Sequence, residues 1–338
     1  MERRHREQFV DDGTSNQQVF RRDQVKGVSR MIRRRAFTLV ELLVAIIITG
    51  LVMASVLTLA FSVFKSYEIH QDTAEAKQRG QIALAAIQPF VLNAGLGLPN
   101  TTANFQAAFA GLTPLLPVQE SRKFKGCVQL ATGATDVAAD TVTAAPALWL
   151  VYSVPSGAGV NREYTVPRNP ASPYFPITVE RFGALDQASN LSTSVDQLKA
   201  WISFPSSSSP FRIRTIDAAT DELFIDSASE QWIAGLDEIH FVRAAKIYVG
   251  GGANLIIDRL DGSGAQAVVD GVVGMWCAFD PAGDRVLTVR ILARASTKRS
   301  DQQQGAIEGW PADASPARVS LDSAYRYAVV SRSWRIRN

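Results

Sequence analysis

Glu41 is the only ionisable side chain between Phe37 and Phe64. It sits near the start of a long apolar run, just after Arg33, Arg34 and Arg35. A carboxylate inside hydrocarbon costs roughly 2.5–3.5 kcal/mol at the centre of a spanning helix and less near an end. The chemistry open to such a group is ionic. A cation brought by another subunit would relieve the cost of burying either charge alone.

The other chemistry-bearing residues are scattered. His5, His70 and His240 are far apart in the chain. No H-E-x-x-H, G-x-S-x-G or phosphate-binding loop occurs. Cys127 and Cys277 lack a C-x-x-C partner, which argues against zinc. They are compatible with one disulfide in an oxidising compartment, or with two separate buried thiols. The run from Asp258 to Gly264 has acids but not the alternation of a calcium loop, and Val269 stands where a closing Glu would be. It reads as an Asp-Gly turn. Gly250, Gly251 and Gly252 read as a turn between strands. Arg332, Arg335 and Arg337 read as a solvated strand face, with a basic contact patch as the alternative. No catalytic, cofactor-binding or metal-binding residue emerges, and the chain reads as non-enzymatic.

Charge is unevenly distributed. Residues 1–36 hold ten Lys/Arg against five Asp/Glu, and the remainder holds 25 against 27. The basic balance therefore belongs to the leader, and the body offers no footprint for nucleic acid. Residues 1–30 are polar, without apolar periodicity, and read as disordered.

The run after Ala36 is long enough for one spanning helix, which needs about 20 apolar residues. Arginines lie before it, and Lys65, Glu68, Asp72 and Glu75 follow without cationic excess. The positive-inside rule then puts the N-terminus in the cytoplasm and the rest across the inner membrane, as a single-pass protein. A cleaved secretory signal would have an apolar region of only about 7–15 residues. A plain signal anchor accounts for the arginines but not for Glu41.

The stretch Ala36-Phe37-Thr38-Leu39-Val40-Glu41-Leu42-Leu43 resembles the cleavage and methylation motif of type IV prepilins and pseudopilins. The resemblance implies that a prepilin peptidase cuts between Ala36 and Phe37. It also implies that Phe37 becomes the methylated N-terminus and that Glu41 is the acid used in assembly. The family usually has Gly before the cut, where this chain has Ala36. Two starts are open: Met1, with a long cytoplasmic leader, or Met31, with a six-residue leader ending at Ala36.

The expected fold is α+β and pilin-like. One long N-terminal helix packs on a mostly antiparallel sheet. Its membrane-spanning or filament-core half covers 37–64 and its amphipathic half 65–94; the β-rich domain covers 95–338. Tyr67, Ala74, Ile82, Ala83, Ala86, Ile87 and Phe90 recur at helical spacing, and the Gly and Pro residues of 93–99 end the helix. Strands are expected at 149–154, 211–216, 239–242, 246–249 and 255–257. A hairpin is expected from Val268–Phe279 and Val286–Ala293, and a last strand from Tyr325 to Ile336, with Trp334 and Ile336 on one face and Arg335 and Arg337 on the other. Segments 155–175 and 203–210 read as loops.

Gln78 to Leu84, Asn93-Ala94-Gly95, Asp270 to Met275 and the C-terminal run from Tyr325 are similar to the PilW family of minor pilins. That resemblance implies a structural subunit of a type IV pilus, in an initiating or tip complex. It implies other minor and major pilins, prepilin peptidase and an inner-membrane assembly platform as partners. The J class of type II secretion pseudopilins is one alternative. A membrane-anchored enzyme or binding domain is another.

Overall fold

No proline interrupts residues 38–88, and the chain there winds into one helix. A computed structural model describes residues 38–99, 101–109, 126–132, 144–168, 174–185, 191–193, 198–261, 263–280, 284–300, 304, 307–312, 314 and 321–336. Helix α1 spans Leu39–Leu92 and continues through Pro89. A second, short helix, α2, spans Thr102–Ala108. The chain divides into two compact units, one ending at Ala60 and one running from Phe61.

In the first unit the apolar side chains, Leu39 to Leu59 among them, are exposed. This part makes α1 long and apolar enough to cross a membrane. In the second unit α1 buries Asp72, Ala76, Gly80, Ala83, Leu84, Ile87, Phe90 and Val91. Steps of three and four residues put these on one stripe. Tyr67 and Ile82, which the periodicity assigns to that stripe, are exposed, 67% and 50%. After Asp72 the stripe continues instead through small residues, Ala76 and Gly80, and at Gly80 strands approach the helix closely.

The strands come in chain order. The first five are β1 (Val128–Ala131), β2 (Ala144–Ala145), β3 (Ala147–Val160), β4 (Tyr164–Val166) and β5 (Phe175–Glu180). Then come β6 (Trp201–Ser203), β7 (Phe211–Asp217), β8 (Glu222–Asp226), β9 (Gln231–Ile233) and β10 (Glu238–Gly250). The last are β11 (Asn254–Asp258), β12 (Ala265–Asp270), β13 (Val272–Phe279), β14 (Val286–Lys298) and β15 (Tyr325–Arg335).

They form a large sheet in the order β1-β3-β5-β8-β7-β6-β10-β11-β12, with β3 also pairing β10. A second sheet has the order β15-β14-β13-β2, and β4 pairs β9. All these strand pairs are antiparallel. The architecture is thus α+β: one long N-terminal helix followed by a mostly antiparallel β domain.

One core holds Leu84, Ile87 and Phe90 of α1 with Leu148, Leu150, Ile247 and Leu255 of the large sheet and Leu287, Val289, Ile291 and Trp334 of the second. The helix exit is pinned on β3. Phe90 meets Tyr152 edge-on at 5.0 Å. Ser153 donates its backbone N–H to Asn93 O at 3.0 Å and its hydroxyl to Leu96 O at 2.8 Å.

Several sequence expectations change. Residues 155–160 complete β3, and 164–166 form β4, so the expected loop 155–175 is partly strand. Pro155 and Gly157 sit where β3 passes from β10 to β5, beside a register shift between Glu238 and His240. They mark a bulge rather than a loop. Segments 239–242 and 246–249 are one strand, β10. Val268–Phe279 is two strands, β12 and β13, parted at Gly271, whose φ of +73° suits glycine.

Candidate functional site

The first turn of α1 is closed by its own side chains. Thr38 donates its backbone N–H to Glu41 Oε2 at 3.0 Å and its hydroxyl to the same oxygen at 3.1 Å. Glu41 returns its backbone N–H to Thr38 Oγ1 at 3.3 Å. This is a capping box, T-x-x-E, which satisfies otherwise unpaired helix donors reciprocally. Both bonds to the carboxylate use Oε2. Among the described residues, Oε1 has no partner. An acid in the first turn also suits the positive end of the helix dipole. The arrangement fixes the carboxylate and leaves one oxygen open to a further cation. Ala36 and Phe37 lie outside the described residues.

A second polar constellation lies within the unit from Phe61 onward. Glu68, Asp72, Glu75 and Arg79 follow one another at three- and four-residue steps on α1. Arg299, just after β14, places Nε 2.6 Å from Asp72 Oδ2 and Nη1 2.9 Å from Glu68 Oε2. Ser296 donates its backbone N–H and hydroxyl to Glu75. Arg79 pairs with Glu75 at 2.9 Å and with Asp270 of β12 at 3.2 Å. Asp72 is only 3% exposed. A charge so buried needs a close ionic partner, and Arg299 supplies it. Sequence reasoning missed this clasp, although the 68-72-75-79 spacing was its signal.

The other expected positions stand apart. His70 is exposed on α1. His240 is buried on β10, and burial lowers its pKa against the opposing pull of Glu238 and Asp237. Cys127 and Cys277 are both free and buried, so the disulfide left open by the sequence does not form in this structure. The reason is strand alternation. Cys127 packs with Phe105, Phe109 and Trp201 on one face of the large sheet, while its neighbours Val128 and Leu130 face the helix-side core that holds Cys277. The Cys127 thiol donates to Pro99 O at 3.3 Å. Burial pushes its pKa up to about 12 and raises that of Cys277 as well.

Among the described residues no group of His, Cys, Asp and Glu could hold a metal ion. Asp258 accepts from Leu260 N and Asp261 from Ser263 N, both local turn bonds. The sharp turn at 250–253 joins β10 to β11. Arg335 is exposed while Trp334 and Ile336 are buried, as the alternation predicted. Arg337 lies outside the described residues. A cleft of about 580 Å³ is lined by residues 95–99, Asn104, Ser206 to Ser209 and Ser229, and among the described residues no imidazole, carboxylate or amine lines it. Three of its hydroxyls are committed locally: Ser207 donates to Phe204 O, Ser208 to Gln231 Oε1, and Ser206 to Asp237.

Residues 31–57 match the family model described as the prokaryotic N-terminal methylation motif. With one apolar N-terminal helix, long enough to cross a membrane, and a β domain behind it, that motif makes the chain similar to the class of type IV pilin-like proteins, which includes the pseudopilins. The class is structural rather than catalytic. Comparison with curated proteins gives no match, and neither does comparison with solved structures.

Proposed function

We propose that the chain is a minor pilin of the PilW type, an assembly subunit of a type IV pilus. In this reading prepilin peptidase cuts between Ala36 and Phe37, and Phe37 is methylated. The N-terminus begins in the cytoplasm, the helix waits in the inner membrane, and the domain from about residue 95 lies outside. The subunit then enters the filament, with other minor and major pilins, through the exposed apolar part of α1.

The single observation that carries this reading is the position of Glu41 within the matched motif. Its carboxylate is held by Thr38 through Oε2, with Oε1 open. The ammonium of a neighbour's residue 37 is a cation of the right size and charge for that oxygen. Pairing the two in a low-dielectric filament core relieves both desolvation costs and fixes axial register. A bulky β domain suits an initiating or tip position, where the subunit is not stacked on both sides.

The test is Glu41→Ala in the native host, beside a deletion of the gene. Loss of piliation in both supports the reading. Loss of secretion with intact pili assigns the chain to the J-class pseudopilins instead. Piliation and secretion intact in both strains would overturn the filament role. Mass spectrometry of the mature N-terminus should find methylated Phe37; an unmethylated chain starting at Met1 or Met31 would count against it.

A further inference from the structure

Sheet edges are where a β protein meets other backbones, and this domain treats its edges unequally. The large sheet ends in β1, of 4 residues, and in β12, of 6. The register of β12 on β11 is broken between Leu255 and Ile256, leaving Val268 as an extra residue. The second sheet ends on one side in β2, of 2 residues. Short or bulged edges of this kind resist pairing with strangers. Apart from the short pair β4–β9, the remaining edge among the described residues is β15, of 11 residues. Its register on β14 runs unbroken from Arg294↔Tyr327 to Val286↔Arg335.

The ladder's parity tells which backbone groups face outward. Arg294 gives its N–H to Gly271 O, on the side of β13. Ile336 gives its N–H to Arg285 O, on the side of β14. In an antiparallel pair, alternate residues bond inward and outward. Even-numbered residues of β15 therefore bond inward, and Tyr327, Val329, Ser331 and Ser333 turn their N–H and C=O outward. At Tyr327 the outward pair is satisfied. The Gln304 side-chain amide accepts from Tyr327 N and donates to Tyr327 O at 3.2 Å, imitating a neighbouring strand. Beyond it, no described residue bonds the outward groups of Val329, Ser331 and Ser333. Residues 331–333 are exposed.

We propose that β15 accepts an extended, acidic segment of a different polypeptide as an added antiparallel strand, starting where Gln304 leaves off. Main-chain bonds to Val329, Ser331 and Ser333 would supply the affinity, as in other strand-addition interfaces. Charge chooses the occupant. β15 carries Arg326, Arg332 and Arg335 and no acid. A second copy of β15 would gather six arginines and no acid along one ladder, whereas Asp or Glu on the incoming strand would meet Arg332, which also holds Gln88 of α1 at 2.6 Å, on one face and Arg335 on the other. The inference goes beyond the filament reading and does not depend on it.

The test uses the full chain in a neutral detergent and a dye-labelled ten-residue peptide alternating Val and Glu, with a Val and Lys peptide as control. Saturable binding of the Glu peptide, weakened by salt, is expected by fluorescence anisotropy. Ser331→Pro removes only an outward N–H, a place where an edge strand tolerates proline. It should weaken binding about tenfold while the melting curve stays two-state. The double variant Arg332→Glu, Arg335→Glu should reverse the preference to the Lys peptide, a gain that misfolding cannot produce. No saturable binding, equal binding by Ser331→Pro, or no reversal of preference would overturn the proposal. So would self-association of the chain that Ser331→Pro abolishes, which would make a second copy the occupant.

Discussion

Val330 of β15 closes against Gly80 of α1 so tightly that a Cβ on residue 80 would lie 2.7 Å from Val330 Cγ2. In an open helix Gly→Ala gains about 1 kcal/mol. Here the added methyl meets a β-branched side chain held in a strand. We expect Gly80→Ala to lower stability by roughly 1–3 kcal/mol, the usual range for overpacking. Val330→Ala in the same chain should recover most of the loss. Denaturant midpoints of the parent and these two variants in detergent check both statements.

The Arg299–Asp72 pair should behave as a buried ion pair does. Removing one partner of such a pair costs roughly 3–5 kcal/mol because the other charge is stranded. Side-chain exposure of Arg299 is 23% and of Asp72 5%, so the loss for Arg299→Ala should fall toward the low end. Asp72→Asn, which keeps a polar partner for Arg299, should cost less than Arg299→Ala. A double-mutant cycle measures the coupling.

Thr38 and Glu41 share a capping box but should differ in consequence. Thr38→Ala loses a cap worth about 0.5–2 kcal/mol to the helix start. If Glu41 acts by charge, Glu41→Gln keeps much of the cap and still stops assembly. Thr38→Ala should therefore assemble measurably better than Glu41→Gln, scored as filaments per cell.

The two thiols give a pH signature. Each is protonated in the folded state well above the ordinary thiol value, Cys127 to about 12. Unfolded thiols ionise near pH 9, so the unfolded state then binds fewer protons and stability falls. This contribution is complete below about pH 9 and is lost as pH rises from there toward 12, at up to about 1.4 kcal/mol per unit for each thiol. Cys127→Ser and Cys277→Ser, compared with the parent between pH 8 and 10.5, should each flatten that slope. Iodoacetamide at pH 8 should label neither thiol until denaturant is added.

Much of this was legible in sequence because periodicity is a strong signal. Arg33 to Leu43 announced the helix, its anchor character and Glu41. Alternation in the last strand placed Trp334 and Ile336 inward and Arg335 outward. What failed did so for physical reasons. Pro155 and Gly157 look like loop residues, yet a bulge uses the same types. Tyr67 and Ile82 look like core residues, yet the buried stripe runs through Asp72, Ala76, Gly80 and Ala83, and β15 approaches Gly80 closely. The clasp around Arg299 needs partners 227 and 231 residues away in the chain, which no local pattern reports. The fate of Cys127 depended on which face of a sheet it occupied, and its spacing from Cys277 carried no such information.

The paired strands β3 and β10 pass through three of the domain's cores. β10 gives Ala245 and Ile247 to the helix-side core, Val242 and Ala244 to a second, and Ile239 and Phe241 to a third. β3 does the same with Leu148 and Leu150, Trp149 and Val151, and Ala158 and Val160. The ladder between the two strands thus ties all three cores together. The unit from Phe61 onward should accordingly unfold in a single cooperative transition, with its slowest amide exchange in β3 and β10.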